Sequence, residues 1–209
     1  MVHELPFWRK SAESGWEGLK TIYVLLMRSQ TPLSRVIYQL TRDAYTHVSF
    51  SFEPSLQPLY SSARKNGETI VPAGPCIERL RHGYYGRHPG IPCRLFELQV
   101  PDEVFEAAKA RAEYFIANAR RYHFNFWGMA LCRFGIAYRR PHHFFCSQFA
   151  AEVLGDTGAL RLPKPKDLMR PVDYDGLPEL TCVFTGTLGR LVEQYQSGAR
   201  ETRPAAKSI

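Results

Sequence analysis

The stretch that most narrows what this chain can fold into is Thr46-His47-Val48-Ser49-Phe50-Ser51-Phe52. Thr46, Val48, Phe50 and Phe52 alternate with His47, Ser49 and Ser51. Successive side chains on a strand point to opposite faces, so the run predicts a strand with one apolar and one polar face. The polar face carries a histidine, and that histidine is the first candidate for chemistry.

The neighbouring elements follow from periodicity and punctuation. Residues 20–27 (KTIYVLLM) are short, apolar and partly β-branched or aromatic, as a buried strand is. Thr31-Pro32 predicts a helix start, with Leu33, Val36, Ile37 and Leu40 on one face to about Asp43. Residues 53–58 read as a hairpin-like connection, and Leu59 to Arg64 as its return strand. Residues 66–93 are rich in glycine and proline and predict a long loop, of a kind that often borders a binding site. A strand over 94–100 follows. Next comes a helix from Pro101-Asp102 to about Arg121, with Phe105, Ala108, Ala112 and Phe115 on one face. Residues 124–138 are apolar but interrupted by Gly128, Arg133 and Gly135. Residues 141–158 predict an extended approach, a helix from about Cys146 to Leu154, and Gly155 as its C-cap. A late strand over 180–188 precedes a tail that has nothing to bury from Ser197 onward. The expected organisation is an extension over 1–19, one α+β domain over 20–196 and a disordered tail over 197–209. An antiparallel sheet would carry the Cys146 helix and the 102–121 helix.

Composition excludes several classes. With 44% hydrophobic and 22% charged residues among 209, the chain is neither disordered nor fibrous. Its longest apolar run is the seven-residue 21–27 stretch, whereas a membrane span takes ~20. The first residues lack the basic, apolar, small-residue order of a secretory signal, which predicts a cytoplasmic protein. Five cysteines, odd in number and without a CxxC pair, fit neither a disulfide framework nor a zinc ribbon. The net charge of +7 is not gathered into a lysine-rich run, and no nucleic-acid partner is expected. One local asymmetry stands out. Between Arg120 and Ala151 there are five arginines, three histidines and no carboxylate.

Cys146 lies inside that stretch, at a predicted helix start. Unpaired N–H groups and the helix dipole there favour a thiolate over a thiol. Position alone is equally consistent with a buried core cysteine. His47 supplies the complementary group: an imidazole that takes a thiol proton and later protonates a leaving group. His142, His143, Cys146 and Cys132 match no structural zinc spacing, and no metal or other cofactor is expected.

THVSFSF, LYSSARK and FFCSQFAAEVL, in that order, resemble the circularly permuted branch of the NlpC-type papain-like superfamily. That branch includes the YiiX/YebB-like bacterial proteins and the lecithin:retinol acyltransferase family. In it the histidine strand precedes the cysteine helix, as His47 here precedes Cys146 by ninety-nine residues. The resemblance covers roughly residues 20–190. It implies a permuted papain-like fold, Cys146 as nucleophile, His47 as general base and a polar orienting residue on the strand after the histidine strand. That strand offers Tyr60, Ser61 and Ser62, with Ser61 the first choice. The oxyanion hole would use the Cys146 N–H and the Tyr45 side chain, with Ser62 and Tyr60 beside the substrate. The implied activity is a thiol-dependent hydrolase or acyltransferase working through an acyl-enzyme. Its substrate would be an amide, peptide, thioester or ester, of a small molecule, a peptide or an acyl group. Two rivals stand beside it. One is lipid-directed acyl transfer at a membrane surface, with residues 124–138 against lipid. The other is a non-catalytic binding module, motivated by the lack of an acidic or amide third residue.

Overall fold

Residues 18–28, 43–64 and 72–201 are described by a computed structural model of the chain. The expected 31–43 helix, nearly all of the 1–19 extension and the last eight residues fall outside them. The strands are β1 (Leu19–Met27), β2 (His47–Ser51), β3 (Leu59–Arg64), β4 (Ala73–Glu78), β5 (Pro92–Pro101) and β6 (Leu180–Thr187). They form one antiparallel sheet in the order β4-β3-β2-β1-β5-β6, so the fold is α+β. The helices are α1 (Gly83–Arg87), α2 (Asp102–Ala117), α3 (Phe126–Cys132), α4 (Cys146–Ala150), α5 (Pro171–Tyr174) and α6 (Leu188–Glu201).

The apolar run of β1 is explained by its central place. Its Ile22, Val24 and Leu26 enter one core, while Leu25 and Met27 enter another on the opposite face. A strand covered on both sides has no polar face to show. On the first face β2 adds Val48 opposite Leu26 and Phe50 opposite Val24. There α2 lays down Phe105, Ala108, Ala112 and Phe115, and α4 lays down Phe149. The Phe149 ring stacks on Phe50 at 5.9 Å and meets Phe115 edge-on at 5.4 Å between centroids. Both predicted helices therefore pack on the sheet. Complete burial of a phenylalanine is worth about 1.5–3 kcal/mol, so these rings seat the cysteine helix firmly.

Three expectations are corrected. Residues 66–93 are not a featureless loop, because β4 and α1 lie within them. Gly74 and Pro75 belong to that strand. β4 is an edge strand, where proline is tolerated. A Cβ at Gly74 would come within 2.7 Å of the Tyr122 carbonyl oxygen, so a glycine is what lets the edge approach residues 122–123. The second correction is α6, which begins where the last strand ends and runs to Glu201, past Ser197. Leu188 and Leu191 are buried in the second core, with Val192 and Tyr195 packed against it. Third, the cysteine helix widens into a π-helical turn over Ala151–Gly155, and the left-handed residue after it is Gly158 (φ 78°), not Gly155. Among the described residues no helix is long and apolar enough to cross a membrane.

Candidate active site

β2 begins at His47, and α4 begins at Cys146. The two side chains lie close enough for the thiol to raise the pKa of the imidazole. Both are buried, His47 to 9% and Cys146 to 7% of full exposure. The cysteine is fixed from several directions. Phe149 N–H donates to the Phe145 carbonyl at 2.8 Å, closing the first turn of α4. Ser147 Oγ donates to the Met169 carbonyl at 2.7 Å, and Tyr174 OH donates to the Ser147 carbonyl at 2.7 Å. The buried Gln148 accepts from the Phe145 N–H (3.4 Å) and from Asn125 Nδ2 (3.3 Å), and donates to Asp167 (2.5 Å). A backbone turn held this way presents its first side chain in one orientation.

The partner of the imidazole on its other side is Glu78, at the end of β4. His47 Nε2 lies 3.1 Å from Glu78 Oε1 and 3.0 Å from Oε2. Tyr85 OH donates to Oε1 at 2.7 Å, and Ser49 Oγ donates to Oε2. Burial disfavours the imidazolium. That cost is the largest single influence, but the Glu78 charge, the Cys146 contact and the hydrogen bond to Glu78 together outweigh it, and the His47 pKa rises to about 10. Burial alone would raise Glu78. The charge of His47 and the hydrogen bonds from His47, Ser49 and Tyr85 hold its carboxyl below the usual range instead. Tyr85 is pushed well above its ordinary value by burial and by the adjacent carboxylate, so it stays a donor.

Ser61, expected to orient the imidazole, reaches it only at the long end of hydrogen bonding. Its Oγ is 3.4 Å from His47 Nε2, but it donates to the Val48 carbonyl at 2.9 Å. A carboxylate accepts from an imidazolium far more strongly than a hydroxyl does, and Glu78 is the closer partner of the ring. With Glu78 present, the observation that motivated a non-catalytic module is gone. Glu78 sits in the glycine- and proline-rich stretch whose composition predicts a loop. The short alternation Cys76-Ile77-Glu78 was the only signal, with Ile77 and Glu78 on opposite faces of β4.

The remaining candidates divide. Tyr60 does not line the cleft over Cys146: it stacks on Phe50 at 5.8 Å within the first core. Ser62 is used structurally, its Oγ donating to the Phe144 carbonyl at 2.7 Å just before the cysteine turn. Tyr45 does line the cleft over Cys146, together with Thr46, Met129, Cys132 and Arg170. The cleft is narrow, about 50 Å³, enough for a carbonyl group or a thin chain end. Asp43 and Arg170 pair at its rim, 3.3 Å apart. Thr46 is a residue the sequence did not offer for the site. Its Oγ1 is buried and has no hydrogen-bond partner among the described residues. His142 and His143 do not line the cleft, and their segment is paired through the backbone with His123, His123 N–H donating to the His142 carbonyl and Phe144 N–H to the His123 carbonyl. Among the described residues no three histidine, cysteine, aspartate or glutamate side chains gather as a metal set.

No known family model matches the sequence, and no curated protein matches it.

Proposed function

We propose that this protein is a thiol-dependent hydrolase or acyltransferase of permuted papain-like fold, acting through an acyl-enzyme on Cys146. The observation that carries the reading is the buried row Cys146, His47, Glu78, with the imidazole hydrogen-bonded to the carboxylate and electrostatically linked to the thiol. A thiol, an imidazole and a carboxylate in that sequence are the parts of a nucleophilic unit: attacker, proton carrier and orienter. The order of the histidine strand and the cysteine helix along the chain supports the permuted fold.

Glu78 holds Nε2, which leaves Nδ1 of His47 to exchange a proton with the thiol. The Cys146 sulfur attacks the substrate carbonyl carbon while its proton resides on the imidazole. The tetrahedral intermediate puts negative charge on the former carbonyl oxygen. The Cys146 backbone N–H and the unpartnered Thr46 hydroxyl, which share the cleft, supply donors for that charge, with Tyr45 at the same rim. His47 then gives its proton to the departing amine, alcohol or thiol, and the acyl group stays on sulfur. Water, or an acceptor hydroxyl or amine, loses a proton to His47 and attacks the thioester, returning the thiol. Amides, peptides, esters and thioesters all fit this sequence, and the small cleft admits the carbonyl end of each.

The test is direct detection of the acyl-enzyme. The protein is mixed with a panel of acyl thioesters and activated esters, quenched in acid, digested and mapped by mass spectrometry. Acyl mass on Cys146, absent from Cys146→Ala, is the expected result. Turnover that persists in Cys146→Ala would overturn the proposal.

A further inference from the structure

We propose that residues 127–140 form a docking surface for an anionic lipid membrane, placed so that the mouth of the Cys146 cleft faces the lipid. Among the described residues seven large hydrophobic side chains are exposed, and four fall in this one segment: Trp127 (69%), Phe134 (77%), Ile136 (51%) and Tyr138 (40%). Isolated exposed apolar residues are ordinary, whereas a cluster marks a surface with a partner. The cluster is also built rather than loose. Helix α3 ends in a turn in which Gly135 N–H donates to the Cys132 carbonyl and Ile136 N–H to the Leu131 carbonyl. Gly135 takes the left-handed φ of 71° that this turn requires. The turn thus holds Phe134 and Ile136 out in water, at a solvation cost that a partner would relieve.

The chemistry of that partner is read from charge. Arg139 and Arg140 are exposed, follow Tyr138 directly and make no ion pair with a described residue. No carboxylate occurs anywhere from Arg120 to Ala151. Aromatic and aliphatic groups flanked by arginines, without acidic residues, match the boundary between headgroups and acyl chains of an anionic leaflet. The placement joins this surface to the site. Met129 and Cys132 of the same helix line the cleft over Cys146, while Trp127 points to solvent. A lipid surface meeting α3 would lie at the cleft's edge. The docking needs no reaction at Cys146, so it stands or falls separately from the proposed catalysis.

Vesicle flotation tests it, with vesicles of phosphatidylcholine alone or with one-third phosphatidylglycerol, and with both the parent protein and Cys146→Ala. The expected result is flotation of both proteins with the anionic vesicles, weak flotation with the neutral ones, and release by high salt. Arg139→Ala with Arg140→Ala should weaken binding about 25-fold, at about fivefold per arginine. Phe134→Asp should weaken it about tenfold or more. Circular dichroism establishes that each variant is folded, and both changes lie on exposed positions. Equal failure with anionic and neutral vesicles, or flotation untouched in the folded variants, would overturn the proposal.

Discussion

Glu78 and His47 lie thirty-one residues apart, on strands separated by β3, yet both carboxylate oxygens sit within 3.1 Å of the imidazole Nε2. Replacing Glu78 by Gln keeps the shape and removes the charge. The imidazole then loses its main source of elevation, and its pKa falls from about 10. The alkaline limb of activity, where the imidazolium is lost, should move to lower pH. Turnover should drop about 100-fold, as a misheld catalytic group costs. Initial rates from pH 5 to pH 11 check both effects; an unmoved alkaline limb would show that Glu78 does not govern His47.

Ser61→Ala should do little. The hydroxyl gives its proton to the Val48 carbonyl and only grazes His47 at 3.4 Å. Turnover within about tenfold of the parent is expected, a smaller loss than that for Glu78→Gln. Steady-state kinetics on the two variants side by side decide the order.

Thr46→Val separates stability from activity. A buried hydroxyl without a partner costs about 1–3 kcal/mol, and valine has nearly the same shape. Urea denaturation should find the variant as stable as the parent or more so. If the hydroxyl serves the oxyanion, kcat should still fall about 100-fold or more. Unchanged kcat would remove Thr46 from the mechanism and leave Tyr45 as the side-chain donor.

The His47–Glu78 pair also predicts a pH profile for stability. The folded pKa of His47 is raised from 6.5 to about 10. Its contribution is therefore fully present below about pH 6.5 and lost as pH rises through about 10. Glu78 is held below 4.5, so its contribution is present above that value and declines as pH falls below it. The parent should lose stability between pH 6.5 and pH 10 relative to His47→Gln, which has no such proton to lose. Chemical denaturation at pH 6, 8 and 10 reads the difference; parallel profiles would contradict the raised imidazole.

The buried central strand, the His47 strand and the Cys146 helix were legible because each rests on local periodicity; the pairing of the two side chains rested on the family resemblance. Thr46–Phe52 alternates over a full strand, and Phe149 with Val153 marks the buried side of the cysteine helix. Glu78 was illegible for a physical reason: an edge strand tolerates Gly74 and Pro75, so its sequence looks like a loop. The helix α6 did carry a signal at Leu188, Leu191, Val192 and Tyr195, spaced one, three and four residues apart, but the preceding strand absorbed its first residue. The unpartnered Thr46 hydroxyl has no sequence signature at all, since partnership is decided by residues distant in the chain.

The central claim is that Cys146 is activated by His47, and the five thiols offer an internal contest. Accessibility alone favours Cys182, which is exposed, over Cys146, which is buried to 7%. Burial pushes the Cys93 thiol up to about 12 and raises Cys132, which makes both slow. A brief iodoacetamide pulse at neutral pH, followed by peptide mapping, ranks all five. The account predicts that Cys146 is alkylated first in the parent and loses that lead in His47→Ala. Cys182 reacting first in the parent, with Cys146 indifferent to His47→Ala, would contradict it.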